Sequence, residues 1–391
     1  MFAFGSGRFI LIRMLRRLCA FIVLVAAWPL AGAAEPRARD LGVPFDGQPG
    51  PLNAITDVAG VEVGHTTLVS GDGPLVTGQG PVRTGVTAIF PRGKANHAPV
   101  FAGWFSLNGN GEMTGTAWLD EAGVLDGPVA LTNTHSVGVV RDAIIQWQVK
   151  KGRAGGEVWW SLPVVAETWD GWLNDINGFH VKPEHVFAAL DSAHGGPVAE
   201  GSVGGGTGMI CHEFKGGIGT ASRKTAAGYT VGVLVQANYG LRGQLRIAGV
   251  PVGQEIPEGK IRKDETGSIL VIVATDAPVL PHQLKRLARR PSLALGRMGS
   301  VSGDGSGDLF LAFSTANAVP EESKKPGTVQ LLASDDMSPL FAAVVQATEE
   351  AIVNALVAGR TTTGRDGHVI LGLPHDRLRE VLKKYGQLVE K

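Results

Sequence analysis

This sequence has few cysteines and no net charge. Only two cysteines occur in 391 residues, and Cys19 lies in an amino-terminal segment that we expect to be removed. Cys211 alone would then remain, so no intrachain disulfide could form and stability must come from a hydrophobic core. The 36 Lys and Arg residues balance 36 Asp and Glu residues. Because no net field draws the protein to nucleic acid or anionic lipid, the expected partner is a small molecule.

Familiar catalytic and metal-binding motifs are also missing. The sequence contains no G-x-S-x-G, no H-E-x-x-H and no Cys/His spacing suited to zinc. The histidines are scattered, and those without an obvious partner by spacing are expected to be structural or surface residues: His135, His194, His212 and His282. We therefore expect neither a metal nor another cofactor.

Glycine, in contrast, is abundant. Its 55 residues are about twice the usual share and follow no period, which excludes collagen and indicates tight turns and close backbone approaches. A hydrophobic content of 44% is enough for a substantial core. No low-complexity linker or internal repeat follows Arg37, so residues 34–391 are interpreted as a single domain.

The first 33 residues have the pattern of a secretory signal peptide. A basic region up to Arg17 precedes an apolar run from Leu18 to Leu30, and Ala31-Gly32-Ala33 provides a small-residue cleavage site. The apolar run is shorter than the roughly 20 residues that span a bilayer. We expect cleavage near Ala33, export to the periplasm and no stable membrane anchor.

Hydrophobic patterning predicts alternating strands and helices. Short apolar runs bounded by Gly, Asn or Asp predict strands at residues 98–105, 128–134, 229–237, 268–275 and 308–313. Helical spacing and start signals predict helices at residues 137–150, 183–192, 281–290, 338–358 and 374–385. Strands mixed with covering helices predict a layered α/β architecture.

Two glycine-containing stretches each allow two interpretations. GSVGGGTGM, residues 201–209, has the glycines of a dinucleotide or phosphate loop, but a strand before it and a helix after it are lacking. The alternative is a packed loop that approaches a site or another backbone. GDGSGDLF, residues 303–310, places Ser306 and Asp308 two residues apart at the start of a strand, where both side chains would share one face. Either the carboxylate orients the hydroxyl, or the stretch is a polar turn.

DETGSILVIVATDAP, residues 264–278, places a serine at the head of an unbroken apolar run. If the Ser268 hydroxyl attacked the carbonyl of Gly267, an N-to-O shift would give an ester, and water would then cut the chain. Glycine leaves that carbonyl uncrowded and tolerates a strained backbone. The new α-amine, with a reference pKa of about 7.7 to 8.0, could serve as the base for its own hydroxyl without any histidine. The alternative is a strand that simply begins after a Gly-Ser turn.

Several long, ordered segments together resemble one known family. They are RDLGVPFDGQPGPLNAITDVAGVEVGH, TNTHSVGVVRDAI, LPVVAETWDGWLNDINGFHV, GGGTGMICHEFKGGIGTASR, VGVLVQANYG, GSILVIVATDAPVLPHQLKRLARR and SGDLFLAFSTAN. From about Arg37 to the carboxyl terminus, the chain resembles the L-aminopeptidase/D-esterase family. These DmpA-type self-processing hydrolases include the β-peptidyl aminopeptidases.

The resemblance implies roles for the residues around the Gly-Ser pair. Ser268 matches the nucleophile that is exposed by cleavage after Gly267. Ser306 and Asp308 match the serine and the acidic residue that bind and orient this nucleophile and its amine.

Three further positions match the family's binding groups. Asn238 matches an oxyanion-stabilising asparagine, a role suited to a side-chain N–H donor. Glu167 matches a glutamate that receives the free amino group of the substrate. Trp169 stands where well-known members have a tyrosine, so this chain lacks a hydroxyl there, which bears on pocket shape and on D-ester activity.

The resemblance also implies an overall fold and function. The expected fold is an αββα sandwich that resembles the N-terminal nucleophile hydrolases but has different strand connectivity. The expected protein is a cofactor-free aminopeptidase or amidohydrolase, cut into fragments 34–267 and 268–391 and assembled as a homotetramer of processed heterodimers. Its expected substrates are small peptides, amides or esters with a free amino terminus. Two alternatives are a secreted binding protein that keeps the fold without turnover and a nucleotide-binding protein that uses residues 201–208.

Overall fold

Two β-sheets form the centre of the structure, a computed structural model that describes residues 36–153, 159–319 and 326–390. The predicted signal peptide lies outside the described residues. The four-stranded sheet contains, in spatial order, β1 (Glu62–Ser70), β2 (Val82–Phe90), β5 (Val129–Asn133) and β6 (Val164–Thr168). The six-stranded sheet contains, in spatial order, β4 (Val124–Leu125), β3 (Val100–Gly109), β12 (Gly307–Ser314), β11 (Ser268–Thr275), β10 (Thr230–Asn238) and β9 (Gly217–Lys224). Two short hairpins pair β7 (Ile210–Cys211) with β8 (Phe214–Lys215) and β13 (Thr362–Thr363) with β14 (Val369–Ile370).

Some of the helices cover the outer face of each sheet. The helices of the described residues are α1 (Thr116–Ala122), α2 (Val137–Lys150), α3 (Pro183–Ser192), α4 (Val252–Glu255), α5 (Pro281–Ala288), α6 (Pro291–Arg297), α7 (Ser338–Val357) and α8 (His375–Lys384). Helices α2 and α3 pack on the four-stranded sheet, and α5 and α7 pack on the six-stranded sheet. The predicted αββα layering is therefore confirmed.

Apolar side chains fill the space between each pair of layers. Both sheets contribute to the central layer, with Val63, Ile89, Leu131, Ala166, Leu234, Leu270, Ile272 and Leu311 among its members. The layer under α2 and α3 includes Val86, Ala130, Val165, Ile144 and Leu190. The layer under α5 to α8 includes Val233, Val271, Phe310, Leu284, Val344 and Leu378.

Strand β11 is buried on both faces, which explains its unbroken apolar run. Alternate side chains from Ile269 to Val273 pack towards the helices, and those from Leu270 to Ala274 pack towards the other sheet. Both ends of the predicted strand, residues 268 and 275, are confirmed. Because side chains alternate along a strand, Ser268 shares the face of Leu270 and points towards the four-stranded sheet.

The predicted helices occur with small changes. The helix predicted at 281–290 ends at Ala288 as α5, and a second helix, α6, begins at Pro291. Pro291 has no amide hydrogen with which to continue the hydrogen bonds of α5. The predicted core helix is confirmed as α7, and the hydroxyl of Thr348 in its apolar stripe donates to the carbonyl of Val344 at 2.7 Å. Residues 334–357 are long and apolar enough to cross a membrane by length and composition. However, 83% of the most apolar 18-residue stretch is buried inside the protein, as in a core helix.

Candidate active site

Ser268 lies at one end of the six-stranded sheet, opposite Asn238. It is the first residue of β11, is 6% exposed, and its Oγ accepts a hydrogen bond from the N–H of Gly307 at 3.1 Å. Asn238 is the last residue of β10 and pairs with Ser268 in the antiparallel ladder. Residues directly opposite in such a ladder share a face, with their Cβ atoms about 5 Å apart. The serine hydroxyl and the asparagine amide are therefore neighbours.

Gly267 has no room for a side chain. A Cβ at this position would lie 2.0 Å from the carbonyl oxygen of Asn238 and 2.6 Å from the Cα of Tyr239. Close contact with the backbone of β10 therefore requires glycine immediately before Ser268.

Ser306 and Asp308 form a buried hydrogen-bonded pair beside the start of β11. The hydroxyl of Ser306 donates to Asp308 Oδ1 at 2.6 Å, as expected if both side chains share one face, and both residues are fully buried. Asp308 is paired with Ile269 in the parallel ladder between β12 and β11. Its Oδ2 has no hydrogen-bond partner among the residues that the structure describes. Burial raises the pKa of Asp308 above its ordinary value, although the hydrogen bond from Ser306 opposes that shift.

The amide of Asn238 is held in a single orientation. Its Oδ1 accepts the N–H of Ile210 at 2.8 Å, and its Nδ2 donates to the carbonyl of Trp169 at 3.0 Å. Because an amide nitrogen carries two hydrogens, one N–H donor remains.

Glu167 comes from the other sheet, where it lies near the end of β6. It is 3% exposed, its Oε1 accepts the N–H of Glu112 at 2.9 Å, and its Oε2 accepts the hydroxyl of Thr134. Burial raises the pKa of Glu167, and these two hydrogen bonds oppose the shift.

A short connection brings Glu167 towards Ser268. Gly111 follows the end of β3. A Cβ at this glycine would lie 3.3 Å from Glu167 Oε1 and 3.2 Å from the Cα of Gly307. Met113 then forms a bridge with Ala166 in β6. The segment from Gly111 to Met113 therefore connects the two sheets and passes between Glu167 and Gly307.

Trp169 lies at the rim of this region. Its side chain is 41% exposed, and a Cβ on Gly171 would lie 2.5 Å from the indole. Its backbone carbonyl, rather than its ring, makes the contact with Asn238. The residue thus combines a buried polar contact with an exposed aromatic surface.

Two polar residues near the site, Gln236 and Glu265, were not predicted from the sequence. Gln236 Nε2 crosses between the sheets and donates to the carbonyl of Thr132 at 2.9 Å and to the hydroxyl of Thr168 at 2.8 Å. The signal was a glutamine two residues before Asn238 in an otherwise apolar strand. Glu265 Oε1 accepts the hydroxyl of Ser300 at 3.0 Å, which ties the segment before Gly267 to the loop that precedes Ser306.

The glycine stretch 201–209 is a packed loop. It contains one short turn, Gly204–Gly206, and leads into the two-residue strand β7 rather than into a helix. A Cβ on Gly206 would lie 2.5 Å from the amide nitrogen of Ile218. The structural context of a dinucleotide loop is absent here, and the packed-loop interpretation is confirmed.

The predicted histidines occupy different environments. His212 is fully buried, and burial lowers its pKa to about 4. His135 is exposed and stacks on Phe179, with ring centroids 5.8 Å apart. Within the described ranges, no group of three or more His, Cys, Asp or Glu side chains is placed to hold a metal ion.

These groups suit acyl transfer. A buried hydroxyl, a neighbouring amide donor and a hydroxyl–carboxylate pair lie at one end of the six-stranded sheet, and a second buried carboxylate faces them across a short loop. Nucleophilic attack requires a positioned oxygen, and the negative oxygen that develops requires a fixed donor.

Comparison with known proteins gives the same picture. A family model described as peptidase family S58 matches residues 53–370. A β-peptidyl aminopeptidase of Sphingosinicella microcystinivorans is 56% identical over 390 residues, covering 94% of this chain and 98% of that protein.

Two solved structures share the fold. A β-aminopeptidase of Burkholderia sp. is 53% identical with a TM-score of 0.82, covering 90% of this chain and 99% of that one. An L-aminopeptidase D-Ala-esterase/amidase of Ochrobactrum anthropi is 47% identical with a TM-score of 0.86, covering 90% and 100%. It is described as a prototype of the serine aminopeptidases and a new variant of the N-terminal nucleophile hydrolase fold. This chain, a serine-type aminopeptidase of the DmpA type that acts on peptides, belongs to peptidase family S58.

Proposed function

We propose that the protein cuts its own chain between Gly267 and Ser268 and then uses Ser268 as the nucleophile of its aminopeptidase reaction. One observation carries the proposal: Ser268 heads a doubly buried strand, directly after a glycine that no other residue can replace. The hydroxyl is beside the Asn238 amide and bonded to the N–H of Gly307.

Self-cleavage begins with attack of Ser268 Oγ on the carbonyl carbon of Gly267. The C–N bond to Ser268 breaks, an ester to Oγ forms, and the proton lost by the hydroxyl ends on the freed α-amine. Water then hydrolyses the ester and leaves Gly267 as a carboxylate. Glu265, anchored to Ser300, holds the segment before the scissile bond in place.

Turnover uses the new amine. The α-amine of Ser268 takes the proton of its own Oγ while Oγ attacks the substrate carbonyl. The remaining N–H of Asn238 donates to the developing oxyanion. The proton passes to the leaving amine, and water then releases the acid and restores Ser268. Asp308, oriented by Ser306, holds the α-amine through its unpartnered oxygen.

Glu167 receives the amino group of the substrate. Its two oxygens are oriented by Glu112 and Thr134, and each retains a lone pair for an ammonium group. The substrates are therefore small peptides, amides or esters with a free amino terminus. We include β-amino acyl groups among them, since relatives 56% and 53% identical are named as β-peptidyl and β-aminopeptidases.

We also propose how the protein is exported, processed and assembled in the cell. Residues 1–33 direct export to the periplasm and are removed. The fragments 34–267 and 268–391 stay associated, because β11 is buried between two layers. The processed heterodimers assemble as a homotetramer and work without a cofactor.

The decisive experiment is substitution of Ser268. On a denaturing gel the wild type should give two bands, and amino-terminal sequencing of the smaller should read Ser-Ile-Leu-Val. Ser268→Ala should remain one inactive chain because it has no oxygen with which to attack. Ser268→Cys should be cut slowly and show weak turnover.

A matched control is Ser314→Ala, which removes an equally buried hydroxyl from the far end of β12. This variant should still be cut at residue 268. An intact, fully active wild-type chain, or an active Ser268→Ala variant, would contradict the proposed mechanism.

A further inference from the structure

Lys215 is a buried cation without an acidic partner. It is fully buried, and its Nζ donates to three backbone carbonyls: Gly206 at 3.2 Å, Met209 at 2.9 Å and Gly216 at 2.8 Å. An ammonium group has three donors, so all are used. Within the described part of the chain, no carboxylate lies within ion-pair distance of this nitrogen. Burial lowers the pKa of Lys215 to about 7, which reflects the cost of keeping a charge there.

Another buried cation of the chain is arranged in the usual way. Arg223 is 1% exposed, and its Nη2 lies 2.6 Å from Glu350 Oε2. That pair lies against α7, away from Ser268. An apolar side chain would fill the position of Lys215 at lower cost if packing were its only purpose. The lysine must therefore serve the carbonyls that it holds.

One of those carbonyls belongs to the peptide group that orients Asn238. The carbonyl oxygen of Met209 and the N–H of Ile210 are the two ends of a single planar peptide unit. Lys215 binds the oxygen end at 2.9 Å, and the N–H end donates to Asn238 Oδ1 at 2.8 Å. A cation on the oxygen fixes the plane of the peptide and polarises it, which strengthens the N–H as a donor.

The orientation of the asparagine follows from this contact. An N–H that points at the amide must meet its oxygen, so Nδ2 is directed to the other side. There it donates one hydrogen to the carbonyl of Trp169 and keeps the second for the site. A loosened peptide 209–210 would allow the amide to rotate and would misplace the donor.

We propose that Lys215 is a positioning residue for the amide of Asn238, acting through the peptide group between Met209 and Ile210. The inference rests on the proposed function, because it takes Asn238 as the oxyanion donor. It adds a residue that touches neither the substrate nor Ser268. A competing explanation is that Lys215 only closes the glycine loop 201–209, which predicts lower stability and an unchanged reaction.

The test is a double-mutant cycle of Lys215→Met and Asn238→Ala. Initial rates on one amino-acyl p-nitroanilide are measured per processed subunit, quantified on a denaturing gel. Asn238→Ala should lower kcat by about 10²- to 10³-fold, as removal of an oxyanion donor does. Lys215→Met should lower kcat by about 10-fold, a part of that effect, with KM within about twofold. In the Asn238→Ala background, Lys215→Met should change kcat by less than about twofold, because the group through which it acts is gone.

Two further variants separate positioning from folding. Lys215→Gln retains two N–H donors without the charge, and should process well and lose less kcat than Lys215→Met. Arg223→Met removes a buried cation away from the site, and should lower Tm while the processed enzyme keeps its kcat.

The outcomes distinguish this inference from the proposed function. If Asn238→Ala leaves kcat unchanged, the oxyanion role of Asn238 is wrong. If Asn238→Ala is damaging but the losses from Lys215→Met are additive, or appear only in KM or Tm, the role of Lys215 is wrong and that of Asn238 stands. If Lys215→Met does not fold, Lys215→Gln is used in the same cycle and judged by the same criteria.

Discussion

Each sheet brings one hydroxyl–carboxylate pair to the site. The six-stranded sheet contributes Ser306 with Asp308, and the four-stranded sheet contributes Thr134 with Glu167. In both pairs the hydroxyl donates to the carboxylate, and burial raises the pKa of the acid. The chemistry of the two pairs is therefore the same.

The pairs differ in the second carboxylate oxygen. Glu167 Oε1 already accepts the N–H of Glu112, whereas Asp308 Oδ2 has no partner in the described part of the chain. A buried oxygen without a hydrogen-bond donor is costly, so Asp308 Oδ2 can accept one more donor. Under the proposed mechanism, cleavage supplies it as the α-amine of Ser268. Each oxygen of Glu167 instead already accepts one hydrogen bond before any substrate arrives.

The largest expected effect comes from Asp308→Asn. This change keeps the shape and an oxygen for Ser306 but removes the charge that would hold an amine. We expect kcat of the processed enzyme to fall by about 10²-fold or more, with little change in KM. Steady-state kinetics on one substrate provide the measurement, and a gel confirms that the fragments are present. A kcat within twofold of wild type would remove Asp308 from the machinery.

Glu167→Gln should weaken recognition of the substrate amine. A charge-assisted bond contributes about 1.5–3 kcal/mol, so kcat/KM should fall by about 10- to 100-fold for a substrate with a free amino group. The matched substrate is its N-acetylated form, which has no ammonium and should be poor for both enzymes. Equal loss on both substrates would show that Glu167 does not bind the amine.

The same variant should change how the stability of the protein depends on pH. Because the folded-state pKa of Glu167 is raised, the folded protein holds this proton more tightly than the unfolded chain does. The resulting stabilisation is present at low pH and is lost as the pH rises through the raised pKa. Gln has no proton to lose, so the Tm of Glu167→Gln relative to wild type should increase from about pH 4 to about pH 8. A difference that is constant or decreases with pH would contradict this.

Gln236→Leu tests whether Gln236 fixes the position of one sheet, and of its hydroxyl–carboxylate pair, relative to the other. The change removes the buried hydrogen bonds from β10 to the carbonyl of Thr132 and to the hydroxyl of Thr168. We expect a loss of about 1–3 kcal/mol in the free energy of unfolding. We also expect a kcat/KM decrease of a few-fold, since the sheets are no longer fixed beneath the site. Gln148→Leu, which alters a glutamine 2% exposed on α2, serves as a control and should leave kcat/KM unchanged.

Trp169→Tyr should change the choice of substrate more than the rate on a preferred substrate. The contact with Asn238 uses the backbone carbonyl, so it survives the change of side chain. Only the exposed ring and its new hydroxyl alter the rim. We expect kcat on a preferred substrate to change by less than about 10-fold, while the ratio between D-alanyl and β-alanyl p-nitroanilides shifts. An unchanged ratio would exclude Trp169 from substrate selection.

The sequence was sufficient for those parts whose signal is local. Strand β11 was predicted at both ends because a continuous apolar run is typical of a doubly buried strand. Helices α3 and α5 were located by a proline at their first position, where a missing N–H has no cost. The site residues were named through the family motifs. Strand period gave the pairing of Ser306 with Asp308 as one of two interpretations, the other being a polar turn.

Strands β1, β2, β6 and β9 were not predicted. Their residues are selected by contacts with the elements packed against them rather than by strand propensity. In β9, a Cβ on Gly219 would lie 2.0 Å from the carbonyl oxygen of Ala351 in α7, so close helix packing selects glycine. In β1, Gly64 packs in the same way against Ala189 in α3. Glycine weakens the strand signal, and only the packed helix explains its presence.

By itself, the sequence determined the layered fold, the family and the Gly267-Ser268 pair, since apolar period, capping residues and motifs are all properties of neighbouring residues. Only the tertiary structure decided that Glu167 accepts the N–H of Glu112 and that Gln236 joins the two sheets by hydrogen bonds. It also decided that Lys215 binds the carbonyl oxygen of the peptide group whose N–H orients Asn238. These contacts join segments that lie on different sheets and loops. Their geometry depends on how the layers stack, which no local pattern encodes.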